Sequence, residues 1–596
     1  MDYTSRLPIE TLCYMFTWAK RSNSVTDASG QLLFNAARAK HEQVPHSVAM
    51  AWIPGVTHVC SRWRYAALGY TSLWTDIPFI LGLDWLRTFL ERSGEASVAA
   101  DWQSLSFMAL GLLESSLSRA RFERALIPLH YRRLRNLVVK VQEETDLQLF
   151  SCSWPMLEEL NVMFRDPLMA PFPLLNHDLP RLRQLTWGSG LELDSSFFPY
   201  QARCMDSLTF LRLDTAWGVH NTSMSPFLDM LARMNNLEHL QLRSTTARPS
   251  ATEPCTACAP VRRVQELPSL KTLSLQTNYY EANHMLSHFA VPPNAKFRFE
   301  ILEPAARSND MDAMFRTSLS SRMLYTQLAK FYQAVNGIPP FVAAELSMES
   351  RTKFHARLSR STTFAEPIHT PGTGRVRRFE PELQADLEVE CPVVPTNQGL
   401  AMLTTILSIL AQDTIRVLAL NINPHDLVTA ALDNTVFRNV VALHFTGKEI
   451  SPYFAPLTKV SNAGEAQPLP NLKFVAFTAP ALSSIVDVGS RVPYQPPKNR
   501  MQDFLLARRQ AKVPIRALYL GIAEQARLFR IEGRAGSSGT THRDRRQAER
   551  DGFKIKRTLN LLEAIPEVSF IARGAEALCR ETVYNEVLQQ AAAEGS

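Results

Sequence analysis

No run of about twenty apolar residues, the length a membrane-spanning helix requires, occurs in the 596 residues of this chain. The first residues also lack the charged segment and apolar stretch of a secretory signal. No membrane partner is therefore expected, and the expected location is cytoplasmic or nuclear. Cysteine is sparse, with eight residues at 13, 60, 152, 204, 255, 258, 391 and 579. Several of these sit inside apolar patterns, where a thiol behaves as a small hydrophobe, so they do not read as a disulfide framework. The pair Cys255-Thr-Ala-Cys258 has the spacing of a metal or redox motif. It has no second such pair and no histidine pair nearby, and it lies between Pro254 and Pro260. It reads as a surface loop, and no metal or other cofactor is expected.

Charge of one sign is not in large excess either. The 64 basic and 57 acidic residues leave a net charge of +7, far from the dense basic face of a nucleic-acid binder, so no nucleic-acid partner is expected. Recognised catalytic patterns are missing. The chain holds no Gly-x-Ser-x-Gly, no Walker loop, no His-Glu-x-x-His and no dinucleotide fingerprint. Gly372-Thr-Gly374 lacks the third glycine and opens no clear helix, so it reads as a loop. The expectation is a protein with no enzymatic activity and no catalytic residues of its own. With 45% hydrophobic and 20% charged residues, it is ordinary globular protein, long enough for several domains or one extended repeat domain.

What the N-terminus does contain is helical patterning. Ile9, Leu12, Cys13 and Phe16 fall at i, i+3, i+4 and i+7, one buried stripe of a helix. Pro8 suits the first helical position and Glu10 places negative charge near the N-terminus. After Pro54-Gly55 the pattern returns at Val56, Val59, Cys60, Trp63 and Ala67, predicting a second amphipathic helix that Gly69 ends. Leu73, Trp74 and Ile77 give a short third apolar segment. Three helices of this size bury little surface by themselves, so a partner is expected to complete part of it.

The three blocks, Leu7-Pro8-Ile9-Glu10-Thr11-Leu12 through Phe16, Val59-Cys60-Ser61-Arg62-Trp63, and Leu73-Trp74, stand in the order found in an F-box, and the segment resembles one. The resemblance implies that residues 1–80 dock on a Skp-type adaptor and, through it, on a cullin. By position, it makes Leu7, Pro8, Leu12, Phe16, Val59, Cys60, Trp63, Leu73 and Trp74 the domain core and adaptor contact. One departure is the insertion at about residues 21–47, where family members have a short turn.

Beyond the helices a motif of the form Leu-x-x-Leu-x-Leu keeps returning: Leu157-Leu160-Val162, Leu208-Leu211-Leu213, Leu237-Leu240-Leu242 and Leu270-Leu273-Leu275. Weaker copies begin at Leu134 and Leu182. Starts at 134, 157, 182, 208, 237 and 270 lie 23, 25, 26, 29 and 33 residues apart, first within and then beyond the leucine-rich-repeat range. Related segments begin at Ile415, Val440, Leu472 and Ile515. Leucines pointing inward from short strands, with helices returning the chain, predict an α/β solenoid with a curved parallel sheet. Its expected extent is 81–575, with loops at about 361–374, 486–502 and 532–551, and a C-terminal helical tail over 576–596. The segment from Met311 to Val335 reads as helical.

Most copies lack the Asn or Cys that follows the third leucine in regular repeats, so the expected repeat is irregular. The chain as a whole is loosely similar to the F-box proteins with degenerate leucine-rich repeats abundant in basidiomycete fungi. That resemblance implies the substrate-recognition subunit of a Skp–cullin–F-box ubiquitin ligase, whose repeat face holds an unknown protein substrate. Outward positions such as Arg212, Gln241 and Ser274 would read that substrate. The alternative is a non-enzymatic leucine-rich scaffold whose box does not support ubiquitylation.

Overall fold

The structure is a computed structural model. It describes residues 6–23, 52–77, 83–101, 130–141, 147, 150–164, 172–189, 198–214, 224–243, 263–292, 294–302, 341–350, 353–360, 364–365, 382–383, 385–392, 414–421, 437–446, 457, 469–478, 500–522 and 569–574. The chain is α/β and divides into two compact units. The first holds Met1–Thr277, Met285–Pro292 and Ile368–Val376; the second holds Asn278–His284, Pro293–Pro367 and Arg377–Ser596.

Unit 1 opens with helices α1 (Ile9–Asn23), α2 (Trp52–Thr57) and α3 (Ser61–Gly69) and a 3₁₀ turn over Thr71–Trp74. Strand β1 (Asp76–Ile77), helix α4 (Leu83–Arg92) and β2 (Val98–Asp101) follow. Then come β3 (Leu134–Val141), β4 (Glu159–Phe164), β5 (Gln184–Ser189), β6 (Phe210–Asp214), helix α5 (Met224–Arg233), β7 (His239–Arg243) and β8 (Thr272–Thr277). Each of the eight strands pairs in parallel with the next in chain order.

Alternation along each strand sends every second side chain to one face, and the register turns this into lanes across the sheet. Leu137, Leu160, Leu185, Leu211, Leu240 and Leu273 stand side by side, as do Val139, Val162, Trp187, Leu213, Leu242 and Leu275. All twelve are buried. The first leucine of each motif closes a turn just before its strand: the amides of Leu157, Leu182, Leu208, Leu237 and Leu270 each donate to the carbonyl three residues back, at 3.1–3.2 Å. The next residue starts the ladder, with Arg183 N–H on Glu158 O at 2.8 Å and Glu238 N–H on Thr209 O at 2.8 Å. From the Trp187 position of the second lane, ring contacts run through Phe164, Phe172 and Phe150 on one side and Phe198 and Tyr200 on the other, with centroids 4.7–5.9 Å apart.

Unit 2 contains β9 (Lys296–Ile301), β10 (Ala343–Ser350), β11 (Lys353–Ser359), β12 (Leu387–Pro392), β13 (Val417–Asn421), β14 (Ala442–Thr446), β15 (Phe474–Thr478), helix α6 (Arg500–Gln510), β16 (Ala517–Ile522) and β17 (Ser569–Gly574). The strands from β13 to β17 pair in parallel in chain order and repeat the turn of unit 1, with Leu472 N–H on Leu469 O at 3.1 Å. The expectation of an all-parallel sheet fails at β11, which is antiparallel to β10 on one side and to β12 on the other. Strand β12 is in turn parallel to β9. Only Arg351 and Thr352 separate β10 from β11, too few residues for a parallel crossover.

One expected loop needs correction. Residues 500–502 belong to α6, held there by buried Met501, Phe504 and Leu505. Of residues 361–374, Phe364–Ala365 pairs antiparallel with Glu382–Leu383. The insertion beyond Asn23, the Met311–Val335 helix, Cys255 and Cys258, residues 532–551 and the C-terminal tail lie outside the described residues. Among the described residues no helix is long and apolar enough to cross a membrane.

Candidate docking site and outward sheet face

Leu12 and Phe16, one turn apart on α1, are fully buried. They pack with Trp52 and Val56 of α2, Ala66 and Ala67 of α3, Leu73, Trp74 and Phe89 in one core. Phe16 lies 5.1 Å from the half-buried Trp63, and Trp74 lies 5.7 Å from Trp52 and 5.0 Å from Phe89, as ring centroids. The Trp74 indole N–H donates to Ala67 O at 3.0 Å, and the Arg92 guanidinium sits 4.4 Å over its ring. Phe89 belongs to α4, so this core continues past residue 80 into the first helix after the box-like segment.

The residues singled out from sequence therefore separate into groups. Leu12, Phe16, Leu73 and Trp74 are buried inside the protein's own core and present no surface. Leu7 and Trp63 pack against that core while part-exposed, and Cys60 is part-exposed. Pro8 and Val59 are on the surface, Val59 at 54% exposure. The expected buried stripe on α1 is narrower than its spacing implied, since Ile9 is exposed and Cys13 part-exposed.

The expected single helix from Val56 to Ala67 is two. Pro54 and Gly55 lie within α2 rather than before it, tolerated because the first turn of a helix needs no amide donors from its own residues. The Thr57 hydroxyl bonds back to Ile53 O at 2.7 Å, and Arg64 Nε donates to Thr57 O at 2.9 Å, closing the helix end. Cys60 is then extended, with φ −158° and ψ 170°, and serves as the N-cap residue of α3.

Four aromatic or sulfur-bearing side chains that the motif reading passed over are exposed here: Tyr14, Met15, Trp18 and Tyr65. At 100° per residue, Tyr14 and Trp18 lie about 160° around α1 from Leu12 and Phe16. The signal was present as an i, i+4 aromatic pair on the far side of the buried stripe.

The second surface is the outward face of unit 1, the positions between the inward leucines. Its middle lane is Asn161, Thr186, Arg212, Gln241 and Ser274; the lane toward the strand C-termini is Met163, Gly188, Asp214, Arg243 and Gln276. The three positions expected to read a partner are thus neighbours across β6, β7 and β8. Arg212 grips Asp214 as a fork, Nε 3.1 Å from each carboxylate oxygen and Nη2 2.8 Å from Oδ2. Asn136 donates to Glu159, whose pKa is raised chiefly by burial. Gly188 leaves room for its neighbours: a Cβ there would stand 2.8 Å from Met163 Sδ and 3.1 Å from Asp214 Cβ.

Among the described residues no group of three His, Cys, Asp or Glu side chains could hold a metal ion. Burial, and then Glu10, push the Cys13 thiol upward, and burial pushes Cys204 up to about 11, which makes these two poor nucleophiles. An open groove of about 610 Å³ beside the strand N-termini, lined by Arg183, Arg203, Cys204, Asp206 and Glu238 among others, carries both signs of charge. The chain matches no protein-family model and no curated protein.

Proposed function

We propose that this chain is the substrate-recognition subunit of a Skp–cullin–F-box ubiquitin ligase, docking a Skp-type adaptor through α1–α3 and holding a protein substrate on an irregular leucine-rich-repeat solenoid. The observation that carries this reading is the two-sided α1. Leu12 and Phe16 are buried on one side, whereas Tyr14 and Trp18 are 74% and 67% exposed on the other. A helix apolar on both sides is one built to be covered on both sides. The order of the Leu7-Pro8, Val59-Cys60-Trp63 and Leu73-Trp74 blocks supports the same reading, as do the consecutive parallel strands with their leucine lanes.

The receptor does no chemistry in this scheme. It works by proximity, keeping substrate lysines near an activated ubiquitin carried by other subunits and so raising their effective concentration. The buried motif residues act through the fold, and the exposed Pro8, Val59, Tyr14 and Trp18 make the contact.

A second reading is a helical cap on a scaffold that ubiquitylates nothing. The burial of Leu12, Phe16, Leu73 and Trp74 against Phe89 favours it, because those residues already have a structural use. Pull-down of a Skp-type adaptor separates the two. The ligase reading expects capture by the intact chain and loss of capture on Tyr14→Ala/Trp18→Ala, with circular dichroism unchanged. Absence of capture by the intact, folded chain would sink it in favour of the cap.

A further inference from the structure

On the outward face of unit 1, four of the described side chains carry formal charge: Glu159, Arg212, Asp214 and Arg243. Asn136 engages Glu159, and Arg212 and Asp214 engage each other. Arg243 stands apart. It is next to Asp214 in register, but that carboxylate is already held by the Arg212 fork. The Arg243 Nε is shut off from solvent and donates to no acceptor. The residue as a whole is part-exposed, so one edge of its guanidinium is closed off while the side chain stands at a solvent-facing position. Guanidinium groups pair with carboxylates and phosphates through parallel, charge-assisted hydrogen bonds. Around it lie uncharged hydrogen-bonding groups, Gln276 in the same lane and Gln241 and Ser274 in the next.

We propose that this face receives an anionic side chain, carboxylate or phosphate, of an extended protein segment at Arg243, with Gln241, Ser274 and Gln276 hydrogen-bonding beside it. The inference rests on reading this face as the substrate-holding surface. One uncommitted cation among the described charges of this face gives the segment its register, and the neutral groups accept whatever main chain or polar side chain flanks the anion.

The experiment offers the full-length protein three immobilised peptide libraries that differ only at one fixed position, which is Glu, phosphoserine or Gln. Retention of the Glu or phosphoserine library over the Gln library by about tenfold or more is expected, the range of a charge-assisted hydrogen bond. Comparison of the first two arms identifies carboxylate or phosphate as the source. Arg243→Gln should abolish the preference, and Arg243→Lys should keep part of it, with circular dichroism unchanged in both. Equal retention of all libraries, retention of none, or a preference that survives Arg243→Gln overturns the inference. Adaptor pull-down is an independent readout. Failure of adaptor capture by the wild type overturns the ligase reading alone, and normal capture by Arg243→Gln with loss of the acid preference supports the inference.

Discussion

Lys20 of α1 places its ammonium 2.7 Å from the carboxylate of Asp76, the first residue of β1, and donates to Leu73 O at 2.9 Å. The lysine side chain is 16% exposed and the aspartate 54%. Only two residues separate Trp74, in the helical core, from Ile77, which pairs with Ala100 in the sheet. The surface helix and the first strand of unit 1 are therefore fastened at the point where the chain passes from one to the other.

Lys20→Met should lower stability by about 1–2 kcal/mol, mostly through loss of the bond to Leu73 O, because the ion pair with a half-exposed carboxylate is weak. Asp76→Asn should cost under about 1 kcal/mol. Urea midpoints of the two variants, followed by tryptophan fluorescence, check the order.

Gly188→Ala should destabilise unit 1 by about 1 kcal/mol, since Met163 must swing away and the approach to Asp214 is also tight. Adding Met163→Ala should recover part of the loss. A double-mutant cycle that shows simple additivity would refute this account.

Lys512, at φ 62°, occupies the left-handed position after α6. Its amide donates to Arg509 O at 3.0 Å and that of Val513 to Arg508 O at 3.1 Å, the paired bonds of a Schellman end. Glycine adopts this φ without strain. Lys512→Gly should raise stability by about 0.5–1 kcal/mol, read as an increase in Tm by differential scanning calorimetry.

His444 lies fully buried between Ala419 and Ala476 in β13 and β15, and burial lowers its pKa from the ordinary 6.5 to about 3. Between these values the unfolded chain binds a proton that the folded chain refuses. Stability is then full above about pH 6.5 and falls as pH drops toward 3. His444→Gln should start less stable and lose less per pH unit, measured as the slope of unfolding free energy between pH 7 and pH 5.

The leucine lanes were legible in the sequence because burial on one face forces an every-second-residue pattern, and Leu211-Arg212-Leu213 and Leu240-Gln241-Leu242 display it directly. The core positions Leu12 and Phe16 were legible for the corresponding helical reason, and Trp74 as part of a short apolar segment. The break at Cys60 was not, since it is made by the Thr57 and Arg64 hydrogen bonds, which apolar spacing does not encode. Strand direction was equally hidden: β11 alternates like any other strand, and only the two-residue link to β10 dictates its reversal. In the candidate sites, spacing located α1 and the outward positions of the sheet. It could not separate Leu12 from Ile9, because both lie on one stripe and are simply apolar until the neighbours of each are known. Nor could it single out Arg243 from Arg212, because what distinguishes them is a carboxylate already taken.

Across the reversed strand, Arg357 lies between Glu388 of β12, at 3.0 Å, and Glu345 of β10, at 3.4 Å, while Arg298 of β9 approaches Glu388 at 3.5 Å. His355 stands 3.8 Å from Glu390. Strand β11 is thus the basic spacer between two acidic strands. Excising it would make the unit uniformly parallel and would also bring Glu345 against Glu388 with no cation between them. A deletion that simplifies the topology would therefore set like charges side by side, an electrostatic cost that the present order of strands avoids.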